Sequence, residues 1–145
     1  MSTESPAASG FVERRSQPET LRGRALMASL TANDLQKSLA WYRDVVGFVV
    51  DQQYEVEGKL LTVMLKAGVV RLLLNQDNGA KGWDRKKGEG FSLTLTTAQD
   101  VDAIAARIKA HGGTLESEPA DMPWGARVFR VKDPDGFILA ISSEM

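Results

Sequence analysis

The feature that most constrains this chain is a repeated order of secondary-structure patterns. A strand-like run, an amphipathic helical run and three further strand-like runs follow one another over residues 24–76, and the same order returns over residues 91–143. Sliding "VMLKAGVVRLLLN" over "FRVKDPDGFILAIS" aligns Gly68 with Gly136, with a longer turn in the second copy. Repetition of this kind indicates two copies of one supersecondary unit. The sequence therefore predicts an α+β fold of two tandem βαβββ modules.

Both helices are predicted from apolar residues that recur at helical spacing. In the first helix these residues are Leu35, Leu39, Tyr42 and Val46. Asn33 or Asp34 is expected to cap its start, because a short side-chain oxygen accepts from the unpaired backbone N–H groups there. Gly47 lies where a helix end favours a positive φ. The second helix is predicted within "AQDVDAIAARIKAHGG".

The modules are predicted to form one domain with a polar leading segment. Residues 1–23 are rich in Ser, Pro, Glu and Arg and predict a loosely held tail, which Phe11, Val12 or Leu21 could dock. Residues 24–145 then form a single domain, a normal size for one core. Residues 77–90 are glycine-rich and charged and predict a loop between the modules.

Composition excludes several classes of function. The chain has no cysteine, so disulfides, thiolate nucleophiles and Cys-ligated metals are excluded. A net charge of −1 and a pI of about 5.9 do not favour nucleic-acid binding. No apolar run is long enough to predict a membrane-spanning helix, and the first residues lack the apolar core of a secretory signal. We therefore expect a cytoplasmic protein.

Four stretches together resemble a known family. They are "NDLQKSLAWYRDVVGF", "DVDAIAARIKAHGG", "PWGARVFRVKDPDG" and the final apolar strand. In this order and at these spacings, over residues 25–143, the chain resembles the glyoxalase / bleomycin-resistance / extradiol-dioxygenase superfamily, also called vicinal oxygen chelate proteins. The resemblance implies a curved, partly open mixed sheet around a cleft, and a homodimer.

The resemblance also implies where a metal would be bound, namely on the first and last strands of each module. Those positions carry Met27, Leu72 (or Leu73), Ser92 (or Leu93) and Ala140. A divalent ion needs imidazole or carboxylate donors, which thioether, alkyl and single hydroxyl groups do not replace. We therefore expect no metal and no other cofactor.

Several aromatic and polar residues are candidates for binding a small molecule in the cleft. They are Trp83, Trp124, Phe129, Arg71, Arg127 and Asn75. Tryptophan and phenylalanine offer platforms for planar or apolar ligands. Arginine could bind a carboxylate or phosphate, and the asparagine could contribute amide contacts.

Other polar residues fit structural roles better. His111, the only histidine, lies in the last turn of the second helix, where the helix dipole favours it. Asp133 and Asp135 flank a proline and precede a glycine, a turn pattern. The basic triplet at residues 85–87 has acidic neighbours and predicts a solvated loop.

These features predict a metal-free protein that binds a small hydrophobic or aromatic molecule, and they favour binding over catalysis. Two alternatives stay open. One is a metal-dependent lyase, isomerase or dioxygenase of the same superfamily. The other is a non-catalytic interaction module that kept the fold.

Overall fold

The computed structural model describes residues 11–12 and 20–144. The first module consists of β1 (Ala28–Ala32), α1 (Leu35–Ala40), β2 (Val49–Val56), β3 (Lys59–Ala67) and β4 (Val70–Gln76). The second consists of β5 (Ser92–Thr97), α2 (Val101–Ala110), β6 (Leu115–Asp121), β7 (Arg127–Lys132) and β8 (Ile138–Ser143). The predicted pair of βαβββ modules is confirmed.

Each module forms its own four-stranded mixed sheet. The strand orders are β1-β4-β3-β2 and β5-β8-β7-β6. In both sheets the first strand of the module pairs in parallel with the last strand, and the remaining pairs are antiparallel. The parallel pairing is possible because the helix carries the chain across the sheet before the last strand returns. The two sheets therefore have the same topology.

One hydrophobic core joins the modules. The buried cluster contains residues of α1, α2 and both sheets, including Tyr42, Val63, Ile108 and Phe129. Tyr42, which the helical spacing placed in the core, is 1% exposed. Between the helices, Arg107 of α2 donates to the backbone carbonyls of Val45 and Val46. Since both helices belong to the same core, each sheet has one face turned toward the helices and one turned away.

The first helix has the predicted ends but an unexpected middle. The Asp34 carboxylate accepts from the Lys37 N–H at 3.2 Å, which caps α1. After Ala40 the helix continues as a π-helical segment, Trp41–Val46, with a wider hydrogen-bonding spacing. Gly47 ends it at φ +112°, in the left-handed conformation predicted for it.

The predicted tail lies largely outside the described residues, which omit 1–10 and 13–19. Of its described part, Phe11 contacts Trp124 edge-on with ring centroids 6.4 Å apart, whereas Leu21 is exposed. Within the described part of the chain, neither helix has the length and apolar character needed to cross a membrane.

Candidate functional site

The sheet faces turned away from the helices hold the positions of interest, and we call them the outer faces. Strand alternation and register place on the first outer face the side chains of Ser29, Thr31, Thr62, Met64, Lys66, Arg71, Leu73 and Asn75. The second outer face carries Ser92, Thr94, Thr96, Val128, Arg130, Lys132, Ile138, Ala140 and Ser142. Leucine, valine and isoleucine at the intervening positions fill the core.

The first outer face is occupied by internal polar contacts. Asn75 donates to the Ser29 hydroxyl at 2.6 Å, and its carbonyl accepts from the Thr62 hydroxyl at 3.0 Å. Arg71 forms an ion pair with Asp51 at 3.2 Å, and Lys66 approaches the same carboxylate at 3.9 Å. Arg71 and Asn75 therefore lie on this face, but their polar groups already have partners within the chain.

The second outer face has a small apolar floor beside charged groups. Ala126, Val128 and Ala140 form a buried cluster of their own, and Met122 packs against it. Lys132 is 3.7 Å from Glu116 across the strand pair. Arg130 is exposed, and no carboxylate among the described residues forms an ion pair with it.

A groove of about 660 Å³ adjoins the second outer face. Its walls include Trp83, Arg85 and Lys86 of the inter-module loop, and Glu116, Lys132 and Ile138 of the second sheet. Lys132 and Ile138 are cross-strand neighbours on the outer face, so the groove runs from the loop onto the sheet. The lining is mainly charged, and Trp83 and Ile138 are its large apolar side chains, so apolar contact with a ligand would come from these two residues.

Trp83 is held at the rim of this groove. Its indole lies against Gly79, where any side chain would collide with the ring. Its backbone carbonyl accepts from the Asn33 side chain at 2.9 Å. The indole remains 54% exposed, so one side of it is available for contact. A fixed aromatic ring loses little conformational freedom when a ligand stacks on it.

An ion-paired cluster anchors the loop that carries Trp83. The ammonium group of Lys87 donates to the Asp77 carboxylate at 2.8 Å and also to the Asn33 side chain. These contacts and the Gly79 N–H hold the pKa of the Asp77 carboxyl below its usual range, with the Lys87 hydrogen bond as the main cause. The charge of Lys87 is therefore neutralised by Asp77 and is not available to a ligand in the groove.

The turn predicted from Asp133 and Asp135 lies at residues 133–136, and its two aspartates also join the modules. Tyr42 donates to Asp133 at 2.8 Å, and Ser38 donates to Asp135 at 3.1 Å. We call these four residues the latch. Asp133 also accepts from the Asp135 and Phe137 N–H groups, which shapes the turn. Burial is the main cause that raises the pKa of Asp133, and burial together with the Asp133 charge raises the pKa of Tyr42.

Two residues predicted to contact a ligand, Phe129 and Arg127, lie away from the outer faces and need correction. Phe129 is 0% exposed and packs in the main core, so it is not a ligand contact. Arg127 also points toward the helix side, where it pairs with Asp102 at 2.9 Å and Asp121 at 3.1 Å. Side chains in "RVFRVK" alternate between the two faces of a strand, as predicted. Alternation alone does not say which of the two sets packs against the helices.

The remaining predicted residues lie in the core, on the outer faces or outside the strands. Leu72 lies in the core, so its neighbour Leu73 is the one on the outer face. Ser92 and Ala140 do lie on the outer face, but Thr94 is the residue paired with Ala140. Met27 precedes β1. Trp124 is 43% exposed in the β6–β7 turn and does not line the groove.

His111 caps the end of α2, where its ring nitrogen lies 2.8 Å from the Arg107 carbonyl oxygen. It lies outside the groove and outside both outer faces. Arg130 is the residue that sequence reasoning missed. The signal was present in "RVFRVK", because Arg130 shares its alternation with Lys132 and not with Phe129.

The donor set at these positions does not fit a divalent metal. The outer-face residues on the first and last strands carry hydroxyl, alkyl, amide and guanidinium side chains. Among the described residues, no three His, Cys, Asp or Glu side chains converge as a metal site would require.

Comparison with known proteins agrees with this architecture. The family model described as Glyoxalase/Bleomycin resistance protein/Dioxygenase superfamily matches residues 24–141. The probable lactoylglutathione lyase of Vibrio cholerae is 29% identical over 126 residues, covering 81% of this chain and 88% of that protein. The lactoylglutathione lyase GLX1 of Arabidopsis thaliana is 29% identical over 128 residues, 83% of this chain but 44% of the plant protein. The chain therefore matches less than half the length of that plant relative.

Solved structures with the same fold include TioX from Micromonospora sp. ML1, with a TM-score of 0.69 at 20% identity over 85% of this chain and 100% of that one. The lactoylglutathione lyase of Agrobacterium tumefaciens has a TM-score of 0.62 at 24% identity, over 84% of this chain and 95% of that one. At such identities the likeness shows the fold alone.

Proposed function

Because the chain belongs to the Glyoxalase/Bleomycin resistance protein/Dioxygenase superfamily, we propose that it uses this scaffold to bind a small organic molecule without a divalent metal or other cofactor. The observation that carries the proposal is the set of side chains on the outer faces. Ser29 and Leu73 stand on the paired first and last strands of one module, and Thr94 and Ala140 on those of the other. These groups cannot hold a metal against competition from water.

The ligand binds in the groove at Trp83 and extends onto the second outer face. Trp83 supplies an aromatic platform, and Ile138 continues the apolar contact toward the sheet. Alkyl and hydroxyl side chains stand at the positions where the family resemblance implies metal ligands. They make this surface suited to an apolar or aromatic ligand. A single aromatic contact adds about 0.5–1.5 kcal/mol beyond area burial, which supports selectivity and does not by itself supply catalysis.

The binding unit is a homodimer in this proposal. The edge of the first sheet leaves apolar side chains exposed, including Val49, Tyr54 and Val56. Exposed apolar residues along a strand edge favour a covering partner. Light scattering is expected to give about twice the 15.8 kDa chain mass. A monomer at micromolar concentration would remove this part of the proposal.

Elemental analysis separates the proposal from its metal-dependent alternative, which the names of the lyase relatives favour. Protein purified without chelator is expected to contain no stoichiometric zinc, nickel, iron or manganese. Adding these ions is expected to leave the melting temperature unchanged, since only an ion that binds the native state stabilises it. Stoichiometric metal, with loss of stability on chelation, would support the lyase alternative instead.

A neutral aromatic probe, phenylnaphthylamine, separates small-molecule binding from the interaction-module alternative. Binding is expected to raise the emission of the probe itself, and a titration of this emission gives the affinity. Trp83→Ala is expected to weaken binding, whereas Trp124→Ala, which alters a ring outside the groove, should retain the wild-type affinity. If the wild-type protein does not bind the probe, or both variants bind it equally well, the groove assignment is wrong.

A further inference from the structure

We infer that the ligand carries an anionic group and that Arg130 binds it on the second outer face. This inference rests on the proposed function, because it concerns the same surface and adds the charge of the molecule. The ligand class is a small organic anion, such as a carboxylate, with an apolar body.

The position of Arg130 follows from the strand register. Arg130 on β7 pairs with Ala140 on β8, and Ala140 pairs with Thr94 on β5. Directly opposed residues have Cβ atoms about 5 Å apart and point to the same face. A guanidinium, a methyl group and a hydroxyl therefore form one row across three neighbouring strands. The guanidinium and the hydroxyl both donate hydrogen bonds to an oxyanion.

Among the cations on the two outer faces, the lack of an acidic partner distinguishes Arg130. Lys66, Arg71 and Lys132 each have a carboxylate within ion-pair distance. Lys86, which also forms no ion pair among the described residues, lies on the loop wall of the groove and not on the sheet. Arg130 has none among the described residues and is exposed to solvent. The second outer face thus carries a cation that the chain does not neutralise. A planar guanidinium matches a carboxylate or sulfonate through two parallel hydrogen bonds.

The apolar cluster beside Arg130 accounts for the rest of the ligand. Ala140 lies beside Arg130 on the neighbouring strand, Val128 precedes Arg130 by two residues on β7, and Met122 packs against the cluster that they form. An anion with an apolar body satisfies both surfaces, whereas an inorganic anion would leave the apolar floor in water. Ala140 also occupies a position where the family resemblance implies a metal-ligating glutamate. Arg130 therefore places a fixed positive charge beside the site where a metal would otherwise supply it.

A matched pair of probes tests this inference. Anilinonaphthalene sulfonate and phenylnaphthylamine share a ring system, but only the first carries a negative charge. Arg130→Gln is expected to weaken binding of the sulfonate roughly tenfold and to leave the neutral probe unchanged, because only the sulfonate loses a charge-assisted hydrogen bond. The control Lys109→Gln removes the same charge from α2, on the helix side of the module, and is expected to change neither affinity. Lys109 pairs there with Glu118 at 2.6 Å.

The outcomes distinguish this inference from the proposed function. If Arg130→Gln weakens both probes equally, or neither, the protein binds aromatic molecules but Arg130 does not select the anion. If Lys109→Gln weakens the sulfonate as much as Arg130→Gln, the attraction is general and the site is wrong. If the wild-type protein binds neither probe, the proposed function fails together with the inference. Circular dichroism of each variant confirms that the fold is intact.

Discussion

The two sheets have the same pairing pattern and differ at the centre of their outer faces. The equivalent side chains are Ser29, Leu73 and Met64 in the first sheet and Thr94, Ala140 and Arg130 in the second. The helix-facing neighbours stay apolar in both, with Leu72 and Leu74 matching Leu139 and Ile141. Packing thus constrains one face of each repeat, while the other face is free to differ. The chemical differences between the two repeats therefore lie on their outer faces.

The largest expected effect tests which face is the core. Phe129→Ala removes a fully buried ring and is expected to lower the free energy of unfolding by about 3–5 kcal/mol. Val128→Ala, on the adjacent outer-face position, should lower it by only about 1–2 kcal/mol. Urea denaturation of both variants measures the difference. Equal losses would contradict the assignment of the two faces.

The turns that precede the last strands offer the next comparison. The first turn contains Gly68 in open space at φ +63°, whereas the second is packed against the loop at Gly88. A Cβ on Gly88 would lie 2.6 Å from the Gly136 carbonyl oxygen. Gly88→Ala is therefore expected to destabilise the protein by at least about 1 kcal/mol more than Gly68→Ala, since both add left-handed strain but only one adds a backbone collision. Similar melting temperatures for the two variants would show that the loop yields without loss.

Only the second turn contains titratable groups, which gives it a pH dependence. Burial raises the pKa of Asp133 above its ordinary value of 3.8, so the native state binds this proton more tightly than the unfolded chain. The stabilisation from this proton is fully present below the unfolded pKa and is lost as pH rises through the folded pKa. Relative to Asp133→Asn, the wild type is therefore expected to lose free energy of unfolding as pH rises above about 4. Denaturant titrations across the acidic range measure this difference, and a constant or rising difference would contradict it.

The smallest effect comes from making the outer faces alike. Arg130→Met gives the second sheet the residue that the first has at Met64. Because Arg130 is exposed and has no ion-pair partner among the described residues, the free energy of unfolding is expected to change by less than about 0.5 kcal/mol. A loss above about 2 kcal/mol in thermal unfolding would show that Arg130 stabilises the fold instead of serving a ligand.

The sequence was sufficient for the fold because its signals are local. Helical spacing located Tyr42 in the core, and glycine and aspartate marked the helix ends, since caps and periodicity depend on near neighbours. For single strands, the sequence did not determine which side chains face the core. "VVRLLLNQ" is apolar on both sides of β4, so the choice between Leu72 and Leu73 required knowing where the helix packs.

The candidate site was less predictable because its members meet only through strand pairing. Arg130 is a candidate because it pairs with Ala140, which in turn pairs with Thr94. Neither pairing can be recognised from the residues near Arg130 in the sequence. The ion pair that draws Arg127 to the helix side likewise depends on Asp102 of α2. The groove at Trp83 depends on the path of the loop between the modules. The ion pair between Asp77 and Lys87 holds that path.

The latch has a consequence for how the chain is made. Tyr42 and Asp133 are 91 positions apart, and Ser38 and Asp135 are 97 apart. During synthesis at about 5–20 residues per second, Ser38 and Tyr42 leave the ribosome roughly 5–20 s before their hydrogen-bonding partners do. Their helix must spend that interval with the side that later meets the second module still uncovered. The nascent first half is therefore the stage at which this protein is most exposed to aggregation and to capture by chaperones.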